Sequence, residues 1–591
     1  MSAAADTGRQ PAGEDRSVLT RLMHWLRPEE KRLALDGGKP VHEYLDAYHD
    51  PDRRGEELFL SELAPMHGRL RSSLHRGADS DEVAVAAFLY AASRLPGCML
   101  WVERVELAFN RPALRNREGG HALWRQVEAA KRRRLSYFDG KRRLVMLVTS
   151  PSDLDDIIPG LMAFQIEWNK MHRKLKAHGL RGAAGRRELR SALGLNRPDL
   201  EALIGLWGED WERKIAAIAS APKDITVRVP PREEADFSDM ALNWWERVCS
   251  ALEVPDLTGR PVYLVTSNNH SLLNLVSGFT AAHQRRISQY ATQHGGQEMS
   301  RRLQRLGGED LSARLNLLYY AQNGLLEQDA GLVRTKQAME AQVGVSRTDP
   351  IPPLLAEAQV LELNRIDPRK LDPRLSLPEP KALAHSRAVV VNTDYPLGFS
   401  AFHLLEAAGR LFPDWRGLFI LGKCASMIGR LGDLLIPTQV RDVHFHRLYS
   451  FTNCFSARHL APYLQDAAVF DDQRSLTVHG TFLHSWKTVR NLHRADFTGI
   501  EMEAGPCLAA LASHFQPDTT GGTGLCHLSP PRDFLLGMLH YTSDTPYNLR
   551  ASLLSRPLGL TGLEACYSAS LAIMQRILDQ ECGRQAGIGT H

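Results

Sequence analysis

Long apolar runs, clustered cysteines and a dominant charge sign are all missing from this sequence. No stretch reaches the roughly 18 consecutive apolar residues that a membrane-spanning helix needs, and the opening MSAAADTGRQPAGEDRS has no apolar core behind a basic start. Both absences argue against membrane insertion and secretion, so the expectation is a cytoplasmic protein. The cysteines stand singly (Cys98, Cys249, Cys424, Cys454, Cys507, Cys526, Cys566, Cys582), with no CxxC pair and no Cys/His set at ligand spacing. They read as reduced thiols, and no metal site is implied. Lys+Arg 72 against Asp+Glu 68 leaves a formal charge of +4 over 591 residues, too little to argue for a nucleic-acid or membrane partner. Any electrostatic recognition has to be local. What the chain does have is apolar material, 43% of residues, enough for the cores of three or four domains.

Residues 1–17 are small, polar and Gly/Pro-bearing and read as a disordered tail. Across 18–141 the apolar residues of VLTRLMHWL, VAVAAFLYAASRL and ALWRQVEAA recur at helical spacing, which predicts a mainly helical region. RRLVMLVTSPSDLDDIIPGLMAF then reads as strand, capping turn and helix, and PVYLVTSNNHSLLNLVSGF repeats the pattern. Together they predict an α/β accessory domain over 142–345, with an internal repeat as one explanation. The prolines of DPIPP and DPRKLDPRLSLPEPK predict a surface linker at 346–381. Strands and helices alternate again over 382–582, and 583–591 reads as a frayed tail.

Three segments of this last region end an apolar run in polar residues: Gly422-Lys423-Cys424-Ala425-Ser426, Glu501-Met502-Glu503-Ala504 and Ser543-Asp544-Thr545-Pro546. Asn392-Thr393-Asp394-Tyr395-Pro396 follows a fourth. The carboxyl ends of buried strands are where open α/β sheets bind ligands, so the four describe one ligand-lined sheet edge. Cleavage of an N-glycosidic bond needs a carboxylate at a cationic sugar and a proton donor for the departing base. Glu503 fits the first role, with Met502 beneath the sugar ring. Asp544, beside Ser543, fits the second. The small residues Gly422, Ala425 and Ser426 let a ligand approach backbone amides, and Lys423 adds a charge suited to phosphate. Each motif alone has a plainer explanation. A carboxylate at 503 is favoured by a helix dipole, Ser-Asp-Thr-Pro is an ordinary helix cap, and a turn lysine is commonly just solvated.

As an ordered set, residues 385–580 resemble the nucleoside phosphorylase and nucleosidase superfamily, which includes purine nucleoside phosphorylase, methylthioadenosine nucleosidase and AMP nucleosidase. The resemblance implies a three-layer α/β domain with a mixed central sheet. It also implies a Met502-Glu503 ribose clamp, a Ser543-Asp544 base site and a base-stacking aromatic at Phe482. A homo-oligomer is implied too, in which Arg441 and His444 complete a neighbouring subunit's site, although alternating His residues equally fit an exposed strand face. No cofactor is implied, with phosphate a possible co-substrate. The departures concern the nucleophile. Gly398 and Ile420 stand where the family has phosphate-binding arginines, and Lys423 replaces a Ser or Thr. Asp394 is left as a base orienting water or as a backbone brace.

The expected substrate is a purine nucleoside or nucleotide, cleaved by water or phosphate. The alternative is a non-catalytic nucleotide sensor with a regulatory N-terminal region. Lys131-Arg132-Arg133-Arg134, close to Tyr137-Phe138, reads as a solvated helix end or an RNA contact, and the modest overall charge disfavours RNA.

Overall fold

The structure is a computed structural model that describes residues 38–49, 55–109, 124–180, 185–229, 236–252, 254–306, 310–377, 379–516, 524–546 and 559–588. The expected N-terminal tail and the segment VLTRLMHWL lie outside these residues. No helix among those described is long and apolar enough to cross a membrane.

Two sheets organise the chain. The first contains β1 (Glu57–Phe59), β2 (Arg104–Ala108), β3 (Arg125–Ala129), β4 (Arg132–Phe138), β5 (Arg143–Leu147) and β6 (Thr226–Arg228), in the order β1-β6-β2-β5-β4-β3. Its parallel centre, β6-β2-β5, is closed on one side by the antiparallel hairpin β3-β4. The helix Pro151–Ala177 leaves β5 through a Ser-Pro turn and buries Ile157, Ile158, Leu161, Met162 and Trp168 with Val105, Leu107, Leu144 and Met146 of the strands. Among the described residues of 38–141, the helices Lys39–His49, Leu60–Leu70 and Val85–Arg94 alternate with β1–β4, so this part is mixed α/β rather than mainly helical. The apolar spacing of AFLYAASR does mark a helix, Val85–Arg94. RQVEA instead becomes β3, because across a two-residue turn lies the strand-forming run LSYF to pair with it, and tertiary pairing outweighs so short a helical pattern.

The second sheet holds β7 (Val262–Thr266), β8 (Val345–Arg347), β9 (Ala358–Glu362), β10 (Val389–Thr393), β11 (Trp415–Ser426), β12 (Leu434–Asp442), β13 (Arg447–Ser450), β14 (Val469–Thr477), β15 (Gly499–Glu501), β16 (Gly524–His527) and β17 (Leu535–Asp544). β10, β7, β11 and β17 run parallel, and β9 and β8 add an antiparallel edge. The period-two alternation of these strands sends Val262, Leu264, Leu418, Ile420 and Met538 to one face and Tyr263, Val265, Phe419, Leu421 and Leu539 to the other. Helices 237–252, 400–411 and 504–515 cover the first face and helix Leu563–Ile588 the second, so the fold is a three-layer α/β sandwich on a mixed sheet. β17 also pairs with β12, which pairs with β14, β14 with β15, and β15 with the end of β11. These five strands close into a ring whose rim gathers the ends of β11, β14, β15 and β17.

This topology revises the expected boundaries. Residues 142–345 are divided between the sheets: β5 lies in the first, whereas β7 is a central strand of the second. The two Leu-Val-Thr-Ser segments each end a parallel strand before a helix, but in different sheets. The proline-rich stretch contributes β9 rather than acting only as a linker, and the final helix continues through Ile588.

The halves meet along a close seam. Ser152, in the first turn of helix 151–177, accepts a hydrogen bond from the Phe399 amide at 2.8 Å. Gly398 beside it has φ +53°, and a Cβ there would lie 2.4 Å from Ser152 Oγ. Gly398→Ala is expected to cost about 1–3 kcal/mol through backbone strain and the clash. Thermal unfolding of the full chain checks this, and an unchanged Tm would show that the seam has slack.

Candidate active site

A cavity of about 740 Å³ opens where the ring's rim faces the first sheet. Its walls include Lys423, Cys424 and Ala425 of β11, Glu501, Met502 and Glu503, Ser543 and Asp544 of β17, and Tyr395, Pro396 and Leu397 after β10. Residues of all four expected motifs thus reach the same space.

The two carboxylates at the end of β15 have separate duties. Glu501 is buried and accepts hydrogen bonds from the amides of Glu503 (2.7 Å) and Ala504 (2.6 Å) and from the Thr477 hydroxyl. It satisfies the start of helix 504–515, which a helix dipole and unpaired amides demand of some anion. Glu503 occupies the N-cap position but makes no side-chain capping bond. It faces the cavity half-buried, and burial, then the neighbouring charge of Glu501, pushes its pKa up to about 8, against opposing pulls from Arg132 and the Gly398 amide. The capping explanation belongs to Glu501, which leaves Glu503 available.

Asp544 reaches the rim through a bulge. In the β11-β17 ladder Cys424 pairs with Thr542 and Ala425 with Asp544, so Ser543 is the extra residue. Such a bulge bends the strand and re-aims its side chains. The Asp544 carboxylate accepts from the Thr545 amide at 2.8 Å, and Ser543 Oγ donates to the Cys424 carbonyl at 3.4 Å.

Several expected residues lie elsewhere. Phe482 does not stack in the cavity. It is 2% exposed in the core of the first half, against the rings of His67, His75 and Tyr90. Its loop instead offers Val478, Thr481 and His484. Asp394 pairs with Arg133 and accepts from the Tyr395 amide at 2.8 Å, outside the cavity lining, contacts that fit the backbone-brace alternative. Gly422 lies behind the lining against His540, and Ser426 spends its hydroxyl on the Ile428 carbonyl at 2.7 Å. Arg441 and His444, expected at a neighbouring subunit's site, do not line this cavity; the His444 ring packs on His479 at 4.4 Å and on Phe399. Neither position lacking an arginine can take one. Ser152 fills the space beside Gly398, and Ile420 sits in the sheet's apolar core.

The other wall comes from the first half and went unread in the sequence. The β3-β4 turn places Lys131, Arg132 and Arg133 at the cavity, and helix Val85–Arg94 adds Tyr90 and Arg94. Arg132 forms a bidentate pair with Asp156 (2.7 and 2.9 Å), which, with Arg134, holds the Asp156 carboxyl well below the usual carboxylate range despite its burial. The Tyr90 hydroxyl donates to Thr481 Oγ1 at 2.7 Å, tying this wall to the β14 loop. His484 lines the cavity with Nδ1 unpartnered, and burial lowers its pKa to about 4, so the ring is neutral at physiological pH. The basic run was the one sequence signal for this wall; Tyr90, Arg94 and His484 had none.

A model of the family of unknown function DUF6909 matches residues 60–579. No curated protein matches the chain. Similar solved structures include the 5′-methylthioadenosine/S-adenosylhomocysteine nucleosidase of Neisseria meningitidis, at 14% identity over 41% of this chain and 94% of that one, with a TM-score of 0.28. They also include the Arabidopsis thaliana 5′-methylthioadenosine nucleosidase, at 13% over 40% and 89%, TM-score 0.27. A methylthioadenosine phosphorylase from an antarctic soil metagenomic library matches at 11% over 37% and 73%, TM-score 0.25. Scores this low assign neither an activity nor a ligand.

The division of labour between the carboxylates has a direct check. Glu501→Ala is expected to destabilise the chain by about 2 kcal/mol, from the lost cap and unsatisfied amides, whereas Glu503→Gln should not destabilise it at neutral pH, because it removes a carboxyl whose proton the folded state holds more tightly than the unfolded chain. Denaturant unfolding of both variants measures the contrast, and equal losses would return the capping role to Glu503.

Proposed function

Since the chain belongs to a family of unknown function, its activity has to be read from its own site, and we propose that it cleaves the N-glycosidic bond of a purine nucleoside or nucleotide. The observation that carries this reading is the pairing of Glu503, released from capping by Glu501, with Asp544 on the wall of one cavity. The resemblance of the Met502-Glu503 and Ser543-Asp544 motifs to the nucleoside phosphorylase and nucleosidase superfamily supports it.

In this mechanism Met502 packs beneath the sugar and Glu503 holds its hydroxyls. As the C1′–N bond lengthens, the sugar becomes cationic, and the Glu503 carboxylate stabilises a charge that the ground state lacks. The bonding pair leaves with the base, whose ring nitrogen takes a proton from Asp544. An oxygen of water or phosphate bonds to C1′. Water also gives up a proton to solvent and yields the free sugar, whereas phosphate yields the sugar 1-phosphate. Tyr90, Thr481 and the neutral His484 line the cavity where they can contact the base.

The test is free-base release from a panel of purine nucleosides and 5′-nucleotides, with and without phosphate. Asp544→Asn is expected to cut turnover by about 10² or more while sparing binding, the usual size of a general-acid effect. Equal turnover by wild type and variant would sink the assignment, and ligand binding with no release across the panel would favour a sensor.

The raised Glu503 pKa fixes a pH dependence. Its ionised form is the active one, so kcat/KM should fall as pH drops through about 8. Because the folded state holds this proton more tightly than the unfolded chain, stability should decline as pH rises from the ordinary value of 4.5 through about 8. Glu503→Gln should remove that stability slope, and a pH-rate profile flat through this range would exclude Glu503 from the role.

A further inference from the structure

Resting on the reading above, we propose that the cavity binds a phosphoryl group between Arg94, Lys131 and Lys423, a site built across the seam from both halves of the chain. The three come from separate elements: the end of helix Val85–Arg94, the β3-β4 turn and the end of β11. All three line the same cavity.

The surrounding charges show why these three matter. Arg132 is matched by Asp156, Arg133 by Asp394 and Arg134 by Asp153, each in a direct ion pair. Neither Arg94 nor Lys423 forms an ion pair with a carboxylate among the described residues. The Arg94 guanidinium lies over the Tyr90 ring at 3.4 Å, its Nη1 donates to the Tyr90 carbonyl and Ser93 Oγ, and its buried Nε has no partner. Lys423 Nζ stands 5.7 Å from the centre of the Tyr395 ring. Lys131 is close enough to both that, after burial, their charges lower its pKa. Three like charges held together cost electrostatic energy, and a polyanion placed among them offsets that cost through charge-assisted hydrogen bonds.

Inorganic phosphate is the first probe. It is expected to raise the Tm of the full chain saturably, beyond chloride at equal ionic strength. Lys131→Met/Lys423→Met should weaken phosphate binding by about tenfold or more while keeping the wild-type circular dichroism spectrum, as loss of charged hydrogen bonds implies. Arg94→Met provides an independent second variant. Two arms separate the sources of the group: tighter binding of adenosine 5′-monophosphate than of adenosine marks the substrate's own phosphate, and tighter adenosine binding in the presence of phosphate marks a co-substrate. Either result supports the site. Absence of phosphate and nucleotide stabilisation in wild type, or undiminished binding in both variants, overturns it. Phosphate binding without base release would leave the site standing and fail the cleavage reading, whereas adenosine cleavage without phosphate binding would do the reverse.

Discussion

Everything at the cavity depends on the anchoring of one loop. Val478–Ser485 leaves the end of β14 in the second sheet, yet its Phe482 and Leu483 are buried in the core of the first half. Two large apolar side chains in a foreign core contribute several kcal/mol at the usual rate for buried surface, about 25 cal/mol per Å². The backbone approaches as closely as the side chains do: a Cβ on Gly480 would lie 2.8 Å from the Asp155 carbonyl. With the loop held there, Thr481 meets the Tyr90 hydroxyl and His484 is turned to the cavity. The anchor acts together with the Ser152–Phe399 and Arg133–Asp394 contacts to hold Arg94 and the β3-β4 turn against the rim of the ring.

The second constraint is local and electrostatic. A helix that begins directly after a buried strand brings unpaired amides into a space poor in water, and some carboxylate has to meet them. Glu501 does so from within the strand, with the Thr477 hydroxyl on its other side. The residue two places later is then free of that duty while still sharing the helix's electropositive start. Burial and the Glu501 charge raise the Glu503 pKa, and Arg132 from across the seam opposes them. A carboxyl poised near 8 therefore depends on residues from both halves of the chain.

These two constraints differed in how visible they were in the sequence. Strand ends carry short, local signals, so Lys423, Met502, Glu503, Ser543 and Asp544 were legible from apolar runs that stop in polar residues. The three-layer sandwich was legible for the same reason, because buried parallel strands read as continuous apolar runs. What failed was anything decided by partners distant in sequence. RQVEA has too few residues to separate a strand from a helix by period, and only its hairpin partner settles it. The strand β7 looked like part of an accessory domain because no local feature says that its neighbours are Val389 and Trp415. Phe482 carried an aromatic suited to a base, but the core that claimed it begins some four hundred residues earlier.

The missing arginines follow from the same seam. Helix 151–177 docks with Ser152 against Gly398, and that contact removes the room for a long side chain there. The helix grows out of β5, and β5 is the neighbour of β4, whose turn carries Lys131, Arg132 and Arg133. The docking that fills the space at Gly398 therefore also delivers three basic residues to the opposite wall. Arg132, Arg133 and Arg134 are paired with Asp156, Asp394 and Asp153, so these three arginines face the seam with their charge compensated. Arg94, Lys131 and Lys423 line the cavity together, beside Glu503 and Asp544 but on separate elements. A chain with a formal charge of +4 over 591 residues thus concentrates cations at one place, and it does so by folding one half against the other.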